Sequence, residues 1–116
     1  MGYTVADNIY STPSYEINNQ GIRLWATNGD IVSAFEAMGE SFEPSGFDRI
    51  EPKNVSICVM NQKSAILSVV ADYVRSDGST LIEDWAGSYL FAKFSENWRI
   101  VTFMGHQPKN FFQCEE

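Results

Sequence analysis

Residues 65–94 read AILSVVADYVRSDGSTLIEDWAGSYLFAKF, two runs of β-branched, aliphatic and aromatic residues on either side of Asp77-Gly78. Asp-Gly is a strong two-residue hairpin signal, because such turns need positive φ angles that Asp tolerates and Gly adopts freely. Long apolar runs around that signal predict paired antiparallel strands. The same reading extends outward. Asn54–Met60, Ala65–Arg75, Leu81–Phe94 and Trp98–His106 form a four-strand meander, with Ser95-Glu96-Asn97 turning its last hairpin tightly.

Upstream, residues 1–14 are polar and turn-rich, ending in Ser11-Thr12-Pro13-Ser14. A short strand is expected at Tyr15–Ile17, a turn at Asn18-Asn19-Gln20-Gly21 and a second strand at Ile22–Ala26. One helix follows, capped by Thr27 or Asn28, with Asp30 in its first turn suited to the positive end of the helix dipole. Ile31, Phe35, Met38 and Phe42 recur at helical spacing as one apolar stripe centred on Phe35. Pro44 and Gly46 end the helix. The fold class is therefore α+β: an N-terminal hairpin, one main helix and a four-strand antiparallel meander. All 116 residues form a single domain, with 1–14 as a leading segment and 107–116 as a tail.

Eight Phe, five Tyr and three Trp supply a core without help from disulfides or a structural metal. Eight Lys and Arg stand against fifteen Asp and Glu, a net charge of -7, and the basic residues are scattered singly. Nucleic acids and anionic membranes are thereby disfavoured as partners, since both need a basic patch. Cys58 and Cys114 have no metal-ligand spacing; Cys58 reads as a small buried hydrophobe, Cys114 as part of a frayed tail, and nothing asks for a disulfide. Without a secretory leader or an apolar stretch of about 18 residues, the expected location is the reducing cytoplasm.

The run Asp77-Gly78-Ser79, then Tyr89 in the next strand, then Trp98-Arg99-Ile100, resembles the nuclear transport factor 2-like superfamily. That group includes SnoaL-like polyketide cyclases and ketosteroid isomerase relatives. The segment Gly21–Phe47 also resembles the family's strand-then-helix passage, so the likeness covers about Tyr15 to His106. It implies a strongly curved sheet wrapped around helices, cone-like, with an apolar pocket inside. The family usually carries about two further helices before the first hairpin, whereas only fourteen residues precede Tyr15 here. No position matches the isomerases' general-base aspartate, so their activity is not carried over.

A two-residue turn at Asp77-Gly78 would set Asp72 opposite Glu83, Val70 across from Trp85 and Ile66 across from Tyr89. Continued through the next hairpin, that register puts Asp72, Glu83, Trp85, Tyr89, Met104 and His106 on one side of the sheet. Neighbouring carboxylates resist double ionisation, so Asp72 or Glu83 with His106 are the candidate acid–base groups. Trp25, Trp85, Tyr89 and Met104 are the candidate lining of a pocket for a flat apolar ligand. A one-residue bulge would scatter the set. One histidine and no clustered thiols argue against a metal site, and no Gly-rich phosphate loop is present; no cofactor is expected.

These readings lead to a pocket-bearing domain that accepts a small, largely apolar organic molecule. The alternatives are a cofactor-free isomerase, cyclase or hydratase, and a structural self-assembly module. One short helix is too small to cover a four-strand face, and Tyr3, Val5, Ile9 and Tyr10 would cover only part of it. A homodimer, or a higher homo-oligomer, is the expected lid.

Overall fold

The computed structural model describes residues 9–114. Strands β1 (Tyr10–Asn18) and β2 (Gly21–Trp25) form the leading hairpin, and helix α1 (Asn28–Phe42) follows at once. A 3-10 turn at Glu43–Ser45 leads into β3 (Phe47–Asn61), β4 (Ser64–Arg75), β5 (Thr80–Phe94) and β6 (Asn97–His106). A second 3-10 turn, Pro108–Asn110, begins the tail.

The helix starts where its cap residues require it to. Thr27 Oγ1 accepts the Asp30 N–H, and the Asp30 carboxylate accepts the Thr27 N–H in return, a reciprocal capping box. At the other end Pro44 lies within the 3-10 turn, and Gly46 closes it at φ 79°, a left-handed angle that favours glycine. The apolar stripe faces the sheet as expected, but its anchor is Ile31, which is fully buried against Trp25. Phe35 is half-buried, and Met38 toward the end of the helix is exposed.

The six strands form one curved, unclosed sheet in the order β2-β1-β6-β5-β4-β3. Every neighbouring pair is antiparallel except β1 and β6, which run parallel with Tyr15 opposite Thr102 and Ile17 opposite Met104. The α+β class, the hairpin, the single main helix and the meander all appear. The parallel seam does not follow from local signals, since it joins the chain's two ends.

Two strands begin well before the residue the sequence predicts, and the others begin one residue before it. β1 starts at Tyr10 instead of Tyr15, so residues 10–14 are strand; residues 1–8, with Tyr3 and Val5, lie outside the described residues. β3 starts at Phe47 and runs through Pro52, where its register with β4 shifts. Proline lacks the N–H of a ladder bond, but β3 is an edge strand that needs only one bonded side.

The register also corrects the predicted faces. The loop at Ser76–Ser79 is wider than a two-residue turn: Arg75 N–H donates to Ser79 O, and Asp77 accepts both the N–H and the hydroxyl of Ser79. Val74 pairs with Thr80 and Tyr73 with Ile82, while Ala71 pairs with Trp85, so β5 carries extra residues at Leu81 and at Glu83-Asp84. Asp84 sits at φ 56° in the second bulge and donates its N–H to Asp72 Oδ1 at 2.9 Å. Between β5 and β6 the turn is Ser95-Glu96, one of the expected placements, but Val101 is a further extra residue. Trp85 therefore lies across from Ala71 and Tyr89 from Leu67 and Phe103, one position away from the two-residue-turn register.

Cys58 and Cys114 are joined in a disulfide, a bond for which nothing in the sequence asked. Fifty-six residues separate them, so no local spacing announces the bond. No helix among the described residues is long and apolar enough to cross a membrane.

Ile31→Ala should cost about 2–5 kcal/mol, and more than Phe35→Ala, because only Ile31 leaves a closed cavity when cut back. Chemical denaturation of both variants checks this; a larger loss at Phe35 would show that the helix docks through the centre of its stripe.

Candidate functional site

The inner face of the sheet is set by parity from the pairings. Leu67, Val69, Ala71 and Tyr73 of β4 share it with Trp85, Gly87, Tyr89 and Phe91 of β5, and with Ile100 and Phe103 of β6. Aromatic rings meet edge to edge or face to face along this floor. Phe47 touches Tyr73, Tyr73 touches Trp85, Trp85 stacks on Phe103 with planes 5° apart, and Phe103 touches Tyr89. Gly87 is where a side chain would not fit: an added Cβ would stand 2.6 Å from Phe103 Cε1.

Above the floor, Phe35 joins Tyr10 and Trp25 in a trio of edge-on contacts at 5.7–6.4 Å. Phe35 also divides the concave side into two open hollows. The first, about 400 Å³, is lined by Tyr10, Phe35, Leu67, Val69, Tyr89 and Phe91 among others. The second, about 500 Å³, lies toward Phe42, Phe47, Ile50 and Tyr73. Both fall in the size range of small-molecule sites.

The polar groups in the first hollow are two phenols. Burial, then the charge of Glu16, pushes the Tyr10 hydroxyl up to about 12. Burial raises Tyr89 as well, with Tyr10 and Tyr73 adding to it. A phenol carries its proton at neutral pH with or without such a shift, so both are O–H donors there; burial extends that state to higher pH. A donor in an apolar cradle recognises a carbonyl, ether or oxyanion on an otherwise apolar molecule.

The candidates named from sequence are divided between places. Trp25, Trp85 and Tyr89 are on the concave side, although Trp25 is core packing against Ile31. Met104 pairs with Ser88 on the opposite face. Asp72 accepts the Asp84 N–H and lies near the Lys53 ammonium, whose closer partner is Asp84. Glu83 is exposed in the bulge. His106 is on the opposite face, where Nε2 meets Ser88 Oγ at 2.8 Å and Nδ1 meets the Gln107 carbonyl at 2.8 Å. The predicted sharing of one face by Asp72, Glu83, Trp85, Tyr89, Met104 and His106 is thus overturned, because the bulges change parity along β5 and β6. Among the described residues no cluster of His, Cys, Asp and Glu is placed to hold a metal ion.

Sequence reading missed Tyr10, Phe35 and Leu67 as groove residues. Leu67 and Tyr89 are opposite one another, and only the bulge count separates that pairing from the expected Ile66–Tyr89 pair. Tyr10 gave a weaker signal, as an aromatic residue next to Ile9 in a segment otherwise read as polar.

Titration of the phenols yields a test. A tyrosine whose folded value is raised contributes stability that is complete below the unfolded value, about 10, and is lost as pH climbs toward the folded value. For Tyr10 that window is about pH 10 to 12, and two units correspond to about 2–3 kcal/mol. Urea unfolding at about pH 9 and about pH 11.5 should show that Tyr10→Phe loses less stability over the interval than the unaltered chain. Equal losses would mean that the Tyr10 hydroxyl is not held in the apolar hollow.

The comparisons with other proteins agree with this architecture. Comparison with curated proteins finds no match. Among solved structures, a domain of unknown function with a cystatin-like fold from Nostoc punctiforme superposes with a TM-score of 0.66 at 20% identity, covering 91% of this chain and 64% of that one. The chain thus spans less than two thirds of that protein's length. An NTF2-like protein from Cytophaga hutchinsonii gives 0.64 at 12% identity over 90% of this chain and 81% of that one. An NTF-2 like protein of unknown function from Shewanella oneidensis gives 0.61 at 14% identity over 86% and 78%. These likenesses establish the fold. A family profile described as NTF2-like protein (DUF6841) matches residues 4–108, nearly the whole length, and the chain belongs to that family.

Proposed function

We propose that the concave side of the sheet binds a small, largely apolar organic molecule. The observation that carries this reading is the first hollow: about 400 Å³, walled by aliphatic and aromatic side chains, with the Tyr10 and Tyr89 hydroxyls as its polar fixtures. Apolar walls supply affinity and a few placed donors fix orientation. The ligand would lie against Leu67 and Val69, flanked by Phe35, and present a hydrogen-bond acceptor to the phenols. The enzymatic alternative draws no support from the geometry, because Asp72, Glu83 and His106 do not converge and His106 is engaged at both ring nitrogens.

A second reading, self-association, is favoured by one observation. Val55, Ile57 and Val59 of edge strand β3 are 56%, 66% and 72% exposed on the concave side. Ile57 and Val59, with Ala65, Leu67, Phe91 and Trp98, border an apolar hollow of about 350 Å³ that shares Leu67 and Phe91 with the ligand groove. A second copy laid across β3 by two-fold symmetry would cover this strip and wall the groove.

Native mass spectrometry of freshly purified protein should show a retained organic molecule. Leu67→Trp, which fills the hollow, should weaken binding of that molecule at least about tenfold while the fold persists. Unchanged affinity would place the ligand elsewhere. Light scattering during size exclusion should report about twice the 13.1 kDa chain mass, falling to the single-chain value in Ile57→Lys. A single-chain mass for the unaltered protein would remove the second reading and leave the first standing.

A further inference from the structure

The tail crosses the sheet face opposite α1, and its attachments land on a few residues of that face. Phe112 N–H donates to Ser68 Oγ at 3.1 Å and Cys114 N–H to Cys58 Sγ at 2.9 Å, while the disulfide ties the tail to β3. Ser68 and Cys58 are 0% and 1% exposed. The tail's own packing is slight. Residues 107–110, 113 and 114 are exposed, Phe111 is half-buried, and Phe112 keeps 38% of its surface exposed. Its position therefore depends on its tethers more than on apolar contact.

The bonds beneath the tail have a direction. Nδ1 of His106 meets a carbonyl, so in the neutral imidazole Nδ1 carries the hydrogen and Nε2 accepts from the Ser88 hydroxyl. Ser88 Oγ, its hydrogen so committed, accepts from the Ser68 hydroxyl, and Ser68 Oγ accepts from Phe112 N–H. The first donor of this chain belongs to the tail. Beside it is a hollow of about 410 Å³ bordered by Ile17, Ile66, Met104 and Phe112.

We propose that residues 107–114 are a redox-latched strap, released when a dithiol reductant opens Cys58–Cys114, which uncovers the Ser68–Ser88–His106 row and the hollow beside it. Cys114 is the exposed end of the bond and Cys58 the buried one, so the reductant's thiolate attacks the Cys114 sulfur. The S–S bond breaks, a mixed disulfide forms at Cys114, and Cys58 leaves as a thiolate. That leaving sulfur is met by the Cys114 N–H and lies 3.8 Å from Ser56 Oγ, two groups that offset its desolvation. The reductant's second thiolate then attacks its own bridged sulfur and expels Cys114 as a thiolate. Two electrons have passed from dithiol to cystine, the reductant is left as a cyclic disulfide, and the cysteine thiolates take protons from water. With the covalent tie gone, the Phe112–Ser68 and Cys114–Cys58 hydrogen bonds are what hold the strap to the face, and a strap this exposed opens. The latch is closed in an oxidising setting and open in a reducing one.

The test uses the full chain, air-oxidised, with and without dithiothreitol. Alkylation followed by intact mass should count no free thiols before reduction and two after. Hydrogen exchange at the Phe112 amide should quicken at least about tenfold on reduction, while Val69 and Tyr89 in the strands stay protected. Cys114→Ser should exchange as fast at Phe112 without any reductant. Three results overturn the proposal: free thiols in the oxidised chain, a Phe112 rate unmoved by reduction or by Cys114→Ser, or simultaneous deprotection of β4 and β5. The last would make the bond a staple of the whole fold and not a latch.

Discussion

Parity along β5 and β6 is the constraint on which the rest of this structure depends. In a strand, successive side chains alternate between faces, so each extra residue on one side of a pairing exchanges the face of everything beyond it. Here the Glu83-Asp84 bulge follows the extra residue at Leu81, and Val101 interrupts β6. Because of them Phe103 joins Trp85 and Tyr89 beneath the helix, and His106 joins Ser88 and Ser68 on the other side. The bulge at Glu83-Asp84 is itself held, since Asp72 takes the Asp84 N–H and Lys53 pairs with the Asp84 carboxylate. That ion pair is exposed enough to add little by itself. The backbone hydrogen bond, which fixes a residue at positive φ, is the stronger determinant.

Two faces with different chemistry result. The concave face carries stacked rings, aliphatic walls and two partly buried phenols. The opposite face carries hydroxyls, the one histidine and a disulfide-tied strap. The helix is the physical reason for the first: among the described residues, the α-helix of fifteen residues spans only about 22 Å and leaves hollows on both sides of Phe35. A fuller helical layer would fill them. The strap is the reason for the second, because Ser68 and Ser88 could not be buried on an uncovered sheet face without partners for their hydroxyls.

The Gly87 position shows how closely the two faces are tied. A glycine in the middle of a strand weakens it and usually marks a close approach. Here the approach is the Phe103 ring, 2.6 Å from where a Cβ would stand, so the stacked pair Trp85–Phe103 exists only because β5 has no side chain at that point. Val55, Ile57 and Val59 are the counterpart at the sheet's edge, where more than half of each side chain is exposed among the described residues. A long apolar edge strand is one that proteins commonly protect with another chain or a covering element.

Much of this was legible from residues alone, wherever the signal was local. The capping pair Thr27 and Asp30, the stripe beginning at Ile31, the stop at Pro44 and Gly46, and the four apolar runs each act within a few residues, and each element formed over its signal, although β1 and β3 start earlier than it. The α+β class and the nuclear transport factor 2-like resemblance follow from their order. What only the tertiary structure decided is everything that depends on counting across a pairing or on bringing distant segments together: the faces of Phe103, Met104 and His106, the parallel seam of β1 with β6, the meeting of Tyr10 with Tyr89, and the Cys58–Cys114 bond. A bulge adds one residue without changing composition or propensity, and a contact across 56 residues leaves no periodicity to read. Local propensity chooses the elements, whereas register and long-range packing choose which side chains meet, and those choices are made by the free energy of the assembled sheet.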